Sequence, residues 1–121
     1  MLRFAPLASA VLPPRTVDAS PLEPGYARAV DDFQRYDAGK TGLKNDGNRP
    51  FLLTHGRKTA KSILMVHGYT DSPYYMRALA DEFYAAGYNV VAILLPGHGT
   101  RPQDLLHIKL AQWEEATQFG P

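Results

Sequence analysis

The sequence predicts an α/β fold: a parallel sheet of three to four strands, covered by helices in a three-layer arrangement. Three observations carry this. Residues 62–66 (SILMV) and 89–95 (NVVAILL) are continuous apolar runs of strand length, the pattern of strands buried on both faces. Between them, Met76, Leu79, Ala80 and Phe83 recur at i, i+3, i+4 and i+7, the apolar stripe of an amphipathic helix. Strand, helix and strand in so short a stretch form a βαβ unit.

In chain order, residues 1–50 read as an extended lead-in with a short helix and a linker, and residues 51–121 as the partial α/β domain. Residues 1–12 (MLRFAPLASAVL) carry one charge, Arg3, and a small-residue site at Ala8-Ser9-Ala10, a faint secretory-signal pattern. Pro6 interrupts its short apolar part, so a cleaved leader is not the expected reading. Pro13-Pro14, Pro21 and Pro24 mark extended chain. Over residues 25–38, Ala29, Phe33 and Tyr36 fall near helical spacing with Asp31, Asp32 and Arg35 between them. Residues 39–50 (GKTGLKNDGNRP) are a linker by composition, with turn chemistry at Asn45-Asp46-Gly47. Residues 51–54 are a short strand and 55–58 a turn. Ser72 suits an N-cap, Pro73 the first helical position and Gly87 the C′ position of the central helix. A Gly-Pro loop follows Leu95, then a last helix over residues 110–119 with Leu110, Trp113 and Ala116 on one face.

Composition bounds the function. The 121 residues are 45% hydrophobic and 21% charged, ordinary globular usage that excludes a disordered chain. The formal charge of +1 supplies no pull toward nucleic acid or an anionic membrane. No apolar run is long enough to cross a bilayer. The absence of cysteine excludes a disulfide framework and a thiolate zinc site, and leaves the compartment open, with a lean toward the cytoplasm. His55 and His107 stand at no ligand spacing, and no H-x-H or H-x-x-x-H pair occurs. Neither a metal nor a cofactor is expected.

In open α/β sheets ligands bind beyond the carboxyl ends of the strands. Two loops stand there, residues 67–72 (HGYTDS) and 95–101 (LPGHGTR). The first is either a strand end with a glycine turn or a loop that presents backbone N–H groups. In the second, Gly97-His98-Gly99 departs from a dinucleotide fingerprint because Pro102 holds the third glycine position. It remains either a surface turn or a loop beside a site, with His98 structural rather than catalytic. Asp71 reads as a loop or cap residue.

Four parts together resemble one family: the apolar strand ending in His67-Gly68, the Ser72-Pro73 helix start, Gly87-Tyr88 before the next strand, and Pro96-Gly97-His98-Gly99. Residues 51–119, with the lead-in FLLTHG at 51–56, resemble the N-terminal portion of an α/β-hydrolase. The branch is that of monoacylglycerol lipases, carboxylesterases and serine aminopeptidase-like hydrolases. The resemblance implies that one oxyanion donor comes from the loop after the strand ending in His-Gly, and the second from the residue after the nucleophile. Carried over by position, the first donor is the backbone N–H of Tyr69. His67, Gly68 and Thr70 support that loop, and Gly97, His98 and Gly99 lie beside the site. Gly68 is expected to let the chain turn without a Cβ clash. His67 is expected to hold the loop by a ring hydrogen bond and not to act as a base. The Trp113 helix resembles the one preceding the nucleophile strand, though a core aromatic is the preferred reading of Trp113.

The departures matter as much. A serine hydrolase of this type needs G-x-S-x-G, then an acid, then a histidine. The serines are Ser9, Ser20, Ser62 and Ser72, and none lies in that pentapeptide. The expectation is therefore the N-terminal portion of a carboxylic-ester hydrolase, with an ester or acyl ligand, an incomplete sheet and an open edge. Such an edge pairs with a missing half or with a second copy. The alternative is a non-catalytic module that self-associates or binds a partner or apolar ligand. A third reading assembles a site between copies from His55, His98 or His107 with Ser72.

Overall fold

The computed structural model describes residues 24–118. The signal-like segment 1–12, the proline lead-in through Pro21 and the helix end at Phe119 lie outside the described residues.

The elements are helix α1 (Pro24–Ala38), strands β1 (Phe51–Leu53) and β2 (Ser62–Val66), helix α2 (Arg77–Ala85), strand β3 (Asn89–Ile93) and helix α3 (Leu110–Thr117), with 3-10 turns at Asp46–Asn48, Pro73–Met76 and Pro102–His107. The strand order is β1-β3-β2. β2 runs parallel to β3 with Ser62 opposite Asn89 and Val66 opposite Ile93, the expected βαβ unit. β1 runs antiparallel to β3, with Phe51 opposite Ala92 and Leu53 opposite Val90, so the sheet is mixed rather than wholly parallel. Residues 54–61 turn the chain back between β1 and β2, and a parallel crossover needs roughly a dozen residues or more.

β3 is the buried strand: Val90, Ala92 and Ile93 are fully enclosed. β2 departs from the expectation of two buried faces. It is an edge strand, with Met65 buried but Ser62 and Val66 exposed. The core gathers Phe51, Met65, Ala80, Val90 and Ala92, with Met76, Phe83 and Tyr84 packed against it. The buried face of α2 is centred on Ala80 and completed by Tyr84, which leaves Leu79 on the flank, 53% exposed, although it belongs to the apolar stripe.

The ends of α2 follow local rules. The Ser72 hydroxyl accepts the Tyr74 N–H at 3.4 Å, and the first turn winds as a 3-10 turn with Pro73 in it. At the other end Gly87 takes φ +95°. Its N–H donates to Tyr84 O, and the Tyr88 N–H donates to Phe83 O. These are the two bonds of a Schellman cap, and the Phe83 and Tyr88 rings meet 5.6 Å apart, the apolar contact that accompanies it.

α1 and the following residues are bound into this unit. Arg49 donates to the Asp37 carboxylate at 3.0 Å and to Asp37 O at 2.7 Å, a cation placed on the negative end of α1. Residues 39–50, a linker by composition, fold against the second loop, where the Lys44 N–H donates to Gly99 O at 2.9 Å. Among the described residues no helix is long and apolar enough to cross a membrane.

Candidate functional site

Because β2 and β3 are parallel and in register, both end on the same edge, and the two loops leave the sheet side by side. In the first loop the Asp71 N–H donates to Gly68 O at 3.1 Å. Thr70 has φ +65°, the single positive value outside glycine among the described residues. This is a type II turn with Tyr69 and Thr70 at its corners. The second corner normally takes glycine; a β-branched residue there stores about 1–2 kcal/mol. The Thr70 N–H donates to His98 Nε2 at 3.3 Å. The Tyr69 N–H has no acceptor among the described residues. The Asp71 carboxylate accepts the Ser72 N–H at 2.8 Å, as befits a cap residue.

The second loop turns in the same way. The His98 N–H donates to Leu95 O at 3.1 Å, with Pro96 and Gly97 at the corners and Gly97 at φ +82°. A Cβ on Gly97 would stand 2.6 Å from Ile108 Cγ1, so glycine is required there for conformation and for space. At Gly68 the expected reason does not apply. Its φ is not positive, and a Cβ there would meet nothing within 4 Å; the room beside it is open.

Two buried imidazoles join the loops. His67 Nε2 accepts the Leu95 N–H at 3.0 Å, and its Nδ1–H faces Gly68 O at 2.9 Å. His98 Nε2 accepts the Thr70 N–H, and its Nδ1–H faces Pro96 O at 3.2 Å. A backbone N–H on Nε2 and a carbonyl on Nδ1 fix the same neutral tautomer in both rings. The rings meet edge-on with centroids 4.7 Å apart. Burial holds the His67 pKa below its usual value; the neighbouring His98 lowers it further, and the Gly68 carbonyl and Asp71 pull the other way. Both nitrogens of each ring are thus engaged with backbone groups.

Other side chains complete the edge. The apolar run of the sequence continues to Leu95, but β3 ends at Ile93, and side chains take up the backbone beyond it. The Tyr36 hydroxyl donates to Leu94 O at 2.8 Å and lies 3.0 Å from the Leu94 nitrogen, whose N–H it accepts. Burial pushes this phenol up to about 12. Trp113 is not the core aromatic its spacing suggests, since α3 buries no residue. Its indole N–H donates to Pro96 O at 3.0 Å, and its ring lies 5.8 Å from His98 and 6.1 Å from Tyr69. It is a wall of the site. The available signal was that a lone indole N–H needs a partner.

On the far side of the second loop an open cleft of about 230 Å³ is lined by Lys40, Thr41, His98 and Asp104, among others. Burial lowers the Lys40 pKa, and its ammonium sits 4.3 Å above the Tyr36 ring. The Thr100 hydroxyl, donating at 2.6 Å, is the main cause holding the Asp104 carboxyl below its ordinary range.

The remaining histidines are elsewhere. The His55 N–H donates to the side chain of Asn89, at the opposite end of β3, and its ring stacks on Tyr84 at 4.2 Å. His107 closes the 3-10 turn at Pro102–His107 and is exposed. Ser72 is buried at the helix start, and Ser62 is exposed at the start of β2. Within one copy of the chain, His55 and Ser72 are not brought together. Among the described residues no group of three or more metal-ligating side chains is gathered.

No family model matches the chain. Over 74 residues it is 35% identical to the thermostable monoacylglycerol lipase of Bacillus sp. (strain H-257), an overlap of 61% of this chain and 28% of that enzyme. A solved structure from work on LipS and LipT, two metagenome-derived lipolytic enzymes, aligns with a TM-score of 0.54 at 33% identity, over 60% of this chain and 29% of that one. The chain thus spans less than a third of the length of each.

Proposed function

We propose that this chain, related over part of its length to lipolytic enzymes of the α/β-hydrolase type, supplies the oxyanion-stabilising portion of a carboxylic-ester hydrolase. Its substrates are carboxylic esters such as acylglycerols. The observation that carries the reading is the unpartnered Tyr69 N–H, set on a strained turn at the carboxyl edge of two parallel strands, with open space beside Gly68. A preorganised N–H of this kind acts on the negative charge that develops on the carbonyl oxygen in the tetrahedral transition state. His67 and Thr70 hold the loop, and Gly97, His98 and Gly99 shape the adjoining one.

In this reading the chain contributes charge stabilisation and not the attacking group. Ser72 Oγ caps a helix, Ser62 stands at the far end of β2, and both central imidazoles have their nitrogens occupied. In this reading none of the described residues serves as the nucleophile or its base. The exposed outer edge of β2 favours a second reading: a non-catalytic module that pairs this edge with another copy or another polypeptide.

The test uses proline. Position 69 is the first corner of a type II turn, where proline fits, so Tyr69→Pro deletes the N–H while keeping the turn. Tyr69→Ala keeps the N–H and deletes the ring. In the polypeptide that carries the nucleophile, kcat on p-nitrophenyl esters is expected to fall about 10²–10³-fold in Tyr69→Pro and far less in Tyr69→Ala. Equal effects of the two substitutions, or fluorophosphonate labelling of Ser62 or Ser72, would overturn the reading.

A further inference from the structure

We infer that His98 is a positioning residue for the first loop: its neutral imidazole accepts the Thr70 N–H and so holds the turn that leaves the Tyr69 N–H free, while His67 reciprocates on the second loop. The arrangement is crossed. His67 stands on the first loop and accepts the backbone N–H of Leu95, on the second. His98 stands on the second and accepts the backbone N–H of Thr70, on the first. Each ring directs its other nitrogen at a carbonyl of its own loop, Gly68 O or Pro96 O. Two imidazoles in edge contact therefore strap two loops that share no strand pairing beyond Val66 and Ile93.

The strap works only with neutral rings. Protonation places an N–H on Nε2, against the backbone N–H it had accepted. An acceptor becomes a donor facing a donor, and the bond is lost. Thr70 is where that loss is felt, because its φ of +65° persists only while its surroundings over-determine it. The charged and titratable groups around the pair are few. Asp71 acts on His67 from the first loop, and Lys40 and Asp104 share the cleft wall with His98. The Tyr69 and Trp113 rings flank His98. Burial and the second ring oppose a charge on His67 while Asp71 favours one, and the balance holds the His67 pKa below its usual value. The strap itself does not depend on the reaction; its importance for an oxyanion donor rests on the function proposed above.

Nitrogen-15 NMR of the 121-residue chain tests it. At about pH 8 both His67 and His98 are expected as Nδ1–H tautomers, with the Thr70 amide protected from exchange. His98→Phe is expected to remove that protection and to change the fluorescence of Trp113, the single tryptophan of the chain. His98→Gln offers Thr70 another side-chain acceptor and is expected to keep the amide protected. An Nε2–H tautomer on either ring, or a Thr70 amide indifferent to His98→Phe, would overturn the inference. The wild-type tautomers decide the matter even if a variant fails to fold. A confirmed strap with an inert Tyr69→Pro would remove the ester reading alone.

Discussion

Replacing Gly97 by alanine tests whether the second loop is wedged in place by its packing. At φ +82° an L-residue costs about 1–2 kcal/mol from the backbone alone. The new Cβ would also stand 2.6 Å from Ile108 Cγ1, 3.2 Å from Leu105 Cδ2 and 3.3 Å from Asp104 O. The first atom belongs to a branched side chain close to its own backbone and the last to the backbone itself, so neither can swing aside freely. Overpacking of this kind costs about 1–3 kcal/mol. The total is about 2–5 kcal/mol, against a whole-domain stability of roughly 5–15 kcal/mol. Gly56 provides the control: its φ is +76°, but a Cβ there meets nothing within 4 Å. Gly56→Ala is expected to show the backbone cost without the clash, partly offset by the reduced freedom of the unfolded chain. Urea denaturation of both variants isolates the steric part as their difference. If Gly97→Ala costs no more than Gly56→Ala, the packing of residues 104–108 against this loop is not what holds it.

Tyr36→Phe removes both side-chain bonds to the Leu94 backbone and is expected to cost about 1–3 kcal/mol, measured by denaturant midpoint. In the wild type, stability is expected to decline as pH rises from 10.0 toward about 12, because the unfolded phenol ionises first; Tyr36→Phe should lack this alkaline limb. At the acid end the lowered pKa of His67 means that the unfolded chain binds the proton more readily. Its contribution is complete above 6.5 and is lost as pH falls below that value, with a slope of at most about 1.4 kcal/mol per pH unit for one proton. Denaturation midpoints across pH, with His67→Gln for comparison, measure that limb. Thr70→Gly relieves the positive φ at a smaller entropic cost and is expected to raise stability by about 0.5–1 kcal/mol, read from the thermal midpoint.

The sequence by itself determined the elements whose signals are local. SILMV and NVVAI are strands because short apolar runs bounded by turn residues bury nowhere else. The 3-10 turn that leads into α2 starts at Ser72-Pro73, and α2 gives way at Gly87, because caps act on the adjacent turn. Pro96-Gly97 is a turn because those two residues suit its two corners. The tertiary structure decided what depends on partners distant in the chain. Burial belongs to β3 and not to β2 because only β3 is flanked by two strands. Tyr36 completes Leu94, a position 58 residues away. Trp113 joins the site because Pro96 O is within its reach. The sequence placed His67 and His98 on the right loops, but not the exchange of their bonds. That exchange follows from the register of β2 on β3, which sets each ring beside the other loop's backbone, and no period or motif along the chain encodes such a distance.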